Sequence, residues 1–444
     1  MSDTASVGVL SLHNSKETKA ILNAVEALGH EGRWLREENV AVEIEDGQVS
    51  LTPNVDIIAN RMLLSNTEQP CELLGLAKTF EGVRPMLNRP TNVLTAFHKF
   101  AAATELANND IRVPDALLAL DADILNDSKA KYGEEVVYKT AIGTHGGGTW
   151  KISGEENVTP IVGERYAFLQ SLIDRDEDRH RDLRIYVVGD EIVGSMRRYA
   201  PDNDWRTNVA LGGAVEGVSD LPDTAVEMAL DASDVLGLDY AGVDLVEGDD
   251  GFYVLEVNPT AGFKGLFEAT GTSPAPYIAQ LAIERAGGTV DPAEVERLSG
   301  TLDDSRPTGI PKRALPDTTT EPKPIGYTEE VVLSGTSGSE RVVAKSDTGA
   351  SRTSIDTRLA AKIGAGPIKS MTKVRSGSVK KGKSRPVVDI VVGIGGDRHT
   401  VAASLEDRSH MSYPMILGRD ILKHYQVDVG RTVEEEEAPE ANEE

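Results

Sequence analysis

Residues 243–263 read VDLVEGDDGFYVLEVNPTAGF and carry three oxygen donors, Asp244, Glu256 and Asn258, on what reads as a β-hairpin. A three-residue turn, Asp249-Asp250-Gly251, puts Gly where φ must be positive. That turn pairs Gly248 with Phe252 and therefore sets Asp244 opposite Glu256. Asn258 lies two residues on, on the same face. Three hard oxygens on one face suit Mg²⁺ (or Mn²⁺) held by few carboxylates and completed by substrate phosphates. A second stretch, EVVYKTAIGTHGGGTW at 135–150, sets Lys139 on a short strand before Gly146, Gly147 and Gly148. A glycine loop of this kind can fold its backbone N–H groups over phosphates. Together the two stretches predict nucleotide-dependent chemistry on a metal platform.

The elements that must position these groups follow from pattern. The chain of 444 residues predicts two to four domains. VGVLSL at 7–12 reads as a buried strand, 16–28 as a helix stopped by Gly29, and VDIIANR at 55–61 as a second strand. This alternation predicts a small parallel-sheet α/β domain over 1–91. One helix is expected over 92–108, with IRVPDAL following as a strand. Strands and helices then alternate through 288. Residues 289–324 hold six prolines and few apolar side chains and read as a partly extended linker. Short Val/Ile runs between Gly and Ser make 325–432 a mostly β domain. Residues 433–444, ending EEEEAPEANEE, read as a disordered acidic tail.

A net charge of −26 argues against non-specific nucleic-acid binding. Cys71 is the only cysteine, so neither an internal disulfide nor a Cys-based zinc site can form. No apolar run approaches 18 residues, and the expectation is a cytoplasmic protein with no membrane partner. Residues 362–385 depart from the acidic average with eight basic and no acidic residues. They read either as a solvated hairpin or as a docking strip for a polyanion, such as a glutamate-rich peptide or ribosomal RNA.

The order Lys99, Lys139 with its glycines, then Asp244, Glu256 and Asn258 resembles the ATP-grasp superfamily. Within it the chain is most similar to the RimK-type ligases, which add glutamate to a ribosomal protein or related acceptors. FLQSLI (168–173), RDLRIYVVGDEIVGSMRR (181–198), WRTNVALGG (205–213) and LEVNPTAGFKGLFEATG (255–271) carry the likeness over about 55–287. The resemblance implies an α/β (α+β) ATP-grasp fold behind an N-terminal parallel-sheet domain, with ATP and Mg²⁺ as cofactors. It implies that Lys99 and Lys139 neutralise the phosphates, that Ser171 and Leu172 meet the adenine, and that Asp182 lies near the sugar. Arg206, Thr207 and Asn208 would reach the phosphates or an acyl phosphate. Arg184 and Arg197 are candidate carboxylate clamps, since a guanidinium matches a carboxylate as a fork, and Arg197 and Arg206 are candidate catalytic groups; the alternative for Arg184 and Arg197 is a structural ion pair. The implied reaction joins an amino acid, with glutamate the expected one, to a protein or small-molecule acceptor. Two departures stand out: Leu211 precedes Gly212-Gly213 where Arg is common, and Ser171 occupies a hinge position that is often acidic.

KSDTGASRTS (345–354) and MILGRDIL (415–422) resemble a retropepsin-type lobe, of the family labelled ATP-dependent zinc proteases. Aspartic proteolysis needs two carboxylates sharing a proton. With a single Asp-Thr-Gly, at Asp347, the dyad requires a two-fold homo-oligomer. The zinc label gains no support from the spacing of His399, His410 and His424. Two further readings stay open: a peptidase gated by the ATP module, and a ligase whose C-terminal domain only binds substrate.

Overall fold

The computed structural model describes residues 4–63, 70–143, 148–163, 165–173, 180–202, 204–207, 213–307, 322–366, 368–374 and 383–433. The chain divides into two compact units, Met1–Ala314 and Leu315–Glu444. Among the described residues no helix is long and apolar enough to cross a membrane.

The first unit opens on a parallel sheet of Glu31–Leu35, Ser6–Leu10, Ile57–Asn60 and Met86–Leu87, in that spatial order. Val7, Val9 and Leu10 are fully buried, as expected where helices cover a parallel sheet. Helix Lys16–Ala27 packs on one side, begun by Ser15, whose hydroxyl accepts from Thr18 N. It ends at Gly29, which takes φ +83°, a conformation glycine adopts at no steric cost.

Two antiparallel sheets follow. The smaller is built on Arg165–Ser171, Glu135–Thr140 and Thr149–Ser153. The larger runs Ala214–Gly217, Glu191–Tyr199, Arg181–Val188, Tyr240–Gly248, Gly251–Asn258. Alternation along Arg181–Val188 sorts its side chains by face. Leu183, Ile185 and Val187 join Ala225, Ala229 and Ala232 of helix Asp223–Val235 in one core. Asp182, Arg184 and Tyr186 face the other way, into a cavity.

Three expectations about these elements are corrected. The helix over 92–108 is two helices, Pro90–Phe97 and Lys99–Asn108, broken at His98. IRVPDAL forms only the two-residue strand Ala116–Leu117, because Pro114 has no N–H to give a ladder. The segment read as a linker begins with helix Pro292–Ser299, whose Asp291 side chain caps Ala293 N and whose Pro292 sits in the first turn. Proline is favoured there because that N–H has no helical partner.

The second unit is mostly β. Thr328–Gly335, Gly338–Ser346, Met415–Leu417, Ser354–Asp356, Asp397–Glu406 and Lys383–Ile394 pair in sequence, and Lys383–Ile394 pairs back onto Thr328–Gly335. The ring closes over a core that includes Val331, Leu333, Ile355, Val392, Met415 and Leu417.

Candidate functional site

The first unit holds a cavity of about 620 Å³ where its parallel sheet and the two antiparallel sheets described above meet. Lys99, Lys139, Gly148, Ser171, Leu172, Asp182, Arg184, Arg206, Thr207, Asp244, Glu256 and Asn258 all line it. Gly146, Gly147 and Asn208 lie outside the described residues.

The hairpin supplies the acidic wall by a route the sequence did not predict. Gly248 pairs with Gly251 across a two-residue turn, not with Phe252. A register shift just after Asp244 skips Leu255, so Asp244 still faces Glu256 and Gly242 faces Asn258. A bulge adds one residue to one strand, and here it restores the pairing that the shorter turn would have lost.

Lys99 enters the cavity because the helix breaks before it. His98, at φ −85° and ψ 92°, accepts from Ala101 N through its ring at 3.1 Å. Lys99 N donates to Ala141 O at 2.8 Å, and its Nζ lies 2.6 Å from Glu256 Oε2. Lys139 is opposite Phe168 on the neighbouring strand, its Nζ 5.2 Å from the ring centroid. Lys139 is 7% exposed. Burial pushes its ammonium down to about 7, and the Lys99 charge adds to that, against a smaller opposing pull from Glu256. A buried ammonium beside a second cation favours the neutral amine.

The floor is a network of two acids and two arginines. Arg184 grips Asp244 as a fork, Nε to Oδ1 at 2.6 Å and Nη2 to Oδ2 at 2.7 Å. Arg198 grips Asp182 in the same way, at 2.6 Å for both bonds, and reaches Asp244 Oδ2 at 2.8 Å. Thr207 Oγ1 donates to Asp182 Oδ2. Burial alone would raise the Asp244 carboxyl, but Arg184 and Arg198 hold it at about 2. Burial opposes the charge on Arg184 as well, and Asp244 more than offsets it, keeping the guanidinium well above its ordinary value. Arg206 lies nearby with Nη2 2.7 Å from Asp204 Oδ2.

Two assignments change. Arg184, expected as a clamp for a substrate carboxylate, has its fork on Asp244, the ion-pair alternative. Arg197, expected as a second clamp and catalytic group, does not line the cavity; its neighbour Arg198 does. Arg197 pairs across the strands with Leu183, which faces the helix, whereas Arg198 pairs with Asp182. Strand parity separates them, and the register that pairs Asp182 with Arg198 decides it. His13, Glu17 and Arg61, contributed by the parallel-sheet region, line the cavity too and carry no sequence signature. Their roles follow only from which strand ends meet.

The donor set suits a hard divalent cation. Glu256 and Asn258 present oxygens on one face, and the Glu256 side chain is 33% exposed. Asn258 Oδ1 already accepts from Thr260 N at 3.0 Å. No group of three or more His, Cys, Asp or Glu side chains gathers as a metal cluster among the described residues.

In the second unit Asp347 sits at a tight turn. Its N donates to Leu417 O at 3.0 Å, and its Oδ1 accepts from Gly349 N at 2.9 Å. Thr353 Oγ1 donates to Asp420 at 2.8 Å and accepts from Gly418 N at 3.1 Å. The two motifs are therefore tied to each other by the Asp347–Leu417 backbone bond and by the Thr353 hydroxyl. His399 and His424 stack at 5.2 Å, and the His399 ring bonds the Tyr425 hydroxyl at 2.6 Å. Lys362 pairs with Glu340, and Arg385 with Glu406. Residues 375–382 of the basic strip and 434–444 of the tail lie outside the described residues.

Two lysines, an acidic hairpin and an arginine-lined floor meet in one cavity between antiparallel sheets, the arrangement of an ATP-grasp ligase. The family model of the RimK-like ATP-grasp domain matches residues 96–281, and that of the retropepsin-like aspartic endopeptidase RimB matches 361–437. Asp347 lies upstream of the second match. The tetrahydromethanopterin:alpha-L-glutamate ligase of Methanocaldococcus jannaschii is 32% identical over 211 residues, which span 45% of this chain and 70% of that one. A probable alpha-L-glutamate ligase of Hahella chejuensis is 30% identical over 283 residues, 60% of this chain and 90% of that one. In fold, the ATP-grasp ligase PsnB in complex with a minimal precursor superposes at a TM-score of 0.50 with 19% identity, covering 63% of this chain and 99% of PsnB. The chain belongs to the RimK-like ATP-grasp family and carries a RimB-like retropepsin-like region at its C-terminal end. It is an ATP-dependent carbon–nitrogen ligase that forms an amide bond.

Proposed function

We propose that the first unit joins glutamate, through its amine, to a carboxylate on a protein or small-molecule acceptor, with ATP and Mg²⁺. The observation that carries this reading is the single cavity lined both by Lys99 and Lys139 and by Glu256 and Asn258. The names of the relatives, alpha-L-glutamate ligases, favour glutamate. The acceptor carboxylate attacks the γ-phosphorus and displaces ADP, leaving an acyl phosphate. The amine then attacks the acyl carbon, expels inorganic phosphate and loses one proton, leaving the amide. Lys99 and Lys139 offset phosphate charge, and Arg206 and Thr207, engaged by Asp204 and Asp182, line the cavity beside them and would turn to the transferred group. Ser171 and Leu172 border the adenine, and Asp182 orients Thr207. Mg²⁺, held by Glu256, Asn258 and Asp244, would supply Lewis-acid stabilisation of the phosphoryl oxygens.

The second unit supports a separate reading, a peptidase acting through Asp347 of two chains, which rests on the retropepsin-like match and on the Asp347 turn. A binding module for the acceptor is the competing role. A screen of amino acids and candidate acceptors for ADP release by the full chain tests the ligase reading. Glutamate-dependent ADP release supports it; release that no amino acid stimulates refutes it. ATP-stimulated peptide cleavage lost in Asp347→Asn would support the peptidase.

A further inference from the structure

Arg61 is a buried cation that forms no ion pair among the described residues. It directly follows strand Ile57–Asn60, is 4% exposed and lines the cavity. Its Nη2 reaches only the carbonyl oxygens of Thr260 and Ala261, at 3.2 and 3.4 Å, and its guanidinium lies 5.3 Å from the Phe263 ring centroid. Its Nε is buried and has no hydrogen-bond partner. Among the described residues no Asp or Glu pairs with it. Among the described residues the other two buried arginines, Arg198 and Arg408, each hold a carboxylate. A desolvated guanidinium without an anion is costly, and an anion from outside the chain would offset that cost.

A carboxylate stands close by without cancelling it. Glu17, in the first turn of helix Lys16–Ala27, also lines the cavity, and its Oε2 accepts from Ser15 Oγ at 2.8 Å. A Cβ placed on Gly262 would lie 3.3 Å from Glu17 Oε1. Glu17 and Arg61 therefore converge on the same loop, 260–263, from the carboxyl end of the parallel sheet, one after strand Ser6–Leu10 and the other after its parallel neighbour Ile57–Asn60. His13 shares the corner; burial and the Arg61 charge lower its pKa, so it does not add a competing cation near neutrality. One cation and one anion that line the same cavity without pairing with each other are complementary to an α-amino acid zwitterion and not to a phosphate.

We propose that this corner seats the amino acid whose amine is joined, with Arg61 holding its α-carboxylate and Glu17 its ammonium. The inference rests on the ligase reading above and names the residues that select its amine substrate. The test is calorimetric binding of L-glutamate to the full chain with Mg²⁺ and a non-hydrolysable ATP analogue. Removing one partner of a buried charge pair costs enough that Arg61→Gln should weaken L-glutamate at least ~30-fold. Affinity for the ATP analogue should stay within about threefold. The carbon chain of 4-aminobutyrate matches glutamate without its α-carboxylate, so it should not distinguish Arg61→Gln from the parent. Glutarate lacks the ammonium and should not distinguish Glu17→Gln from the parent, whereas L-glutamate should. If Arg61→Gln fails to fold, Glu17→Gln and the two analogues decide alone. L-glutamate bound equally by parent and variants would overturn the corner and leave the ligase reading intact. Nucleotide binding without any L-glutamate binding by the parent would remove both.

Discussion

Lys139 should take up a proton when ATP binds. In the described cavity its ammonium is held near 7 by burial and by Lys99. Triphosphate charge favours the protonated form, so binding should return this lysine toward its ordinary value of about 10.4. The sign follows from the direction of the shift. Below pH 7 the free protein already carries the proton and little is gained; above pH 7 the neutral amine must be protonated on binding. With a free-state value of about 7 and a bound value near 10, uptake should be about 0.1 proton per ATP at pH 6 and about 0.9 at pH 8. ATP affinity should then fall roughly tenfold between pH 6 and 8 from this group alone. Titrations of MgATP in buffers of different ionisation enthalpy give the proton count directly. The Lys139→Met variant removes the ATP molecule's own ionisation from the comparison. Lys99→Met should raise the free-state value of Lys139 and shrink the uptake at pH 8, because it deletes a neighbouring charge that lowers it. Equal uptake by parent and Lys139→Met at pH 8 would refute the argument.

Three other outcomes are expected. Arg198→Ala leaves Asp182 and part of Asp244 buried without a cation and should cost about 3–5 kcal/mol of stability, whereas Arg197→Ala should stay within about 0.5 kcal/mol; denaturant midpoints check this, and equal losses would contradict the parity assignment. Glu256→Ala should leave the fold intact and raise the ligation barrier by roughly several kcal/mol, and near-normal turnover at ordinary Mg²⁺ would discard its metal role. Asp347→Asn should abolish any peptide cleavage by the full chain, and cleavage by a strictly monomeric form, measured beside sedimentation, would exclude a shared dyad.

Much of the site was legible because its residues sit on strands, where spacing translates into facing. Asp244, Glu256 and Asn258 share a face in the sequence and in the structure, although turn length and bulge both differ from expectation. Two errors that each shift register by one cancel, which no pattern of apolar residues reports. Lys99 was visible as a lysine, but the helix break that aims it was not. His98 is an uncommon cap, and the 92–108 pattern reads as continuous. Arg198 was missed in favour of Arg197 because both follow Met196 and only the parity of the partner strand separates them. Arg61, His13 and Glu17 were invisible for a different reason. They reach the cavity by tertiary contact between the parallel sheet and the 260–263 loop, and no local spacing encodes that contact. Helix Pro292–Ser299 hid inside a proline-rich stretch whose first proline is a helix starter.

Asp244 and Glu256 face each other, yet their charge environments differ in kind. Glu256 meets one lysine and keeps a third of its side chain in solvent. Asp244 is buried and bound by two guanidiniums. A divalent cation arriving beside Glu256 and Asn258 therefore competes at Asp244 with Arg184 and Arg198, not with a proton, since the carboxyl titrates near 2. Metal affinity should consequently be flat with pH above about 4 as far as this group is concerned. Arg184 is then better understood as the partner that holds Asp244 in place than as an independent clamp. Its fork is free for a substrate carboxylate only to the extent that something else neutralises Asp244. The same cation that would screen the phosphates could do that, which couples the metal end of the cavity to the arginine floor through one shared carboxylate.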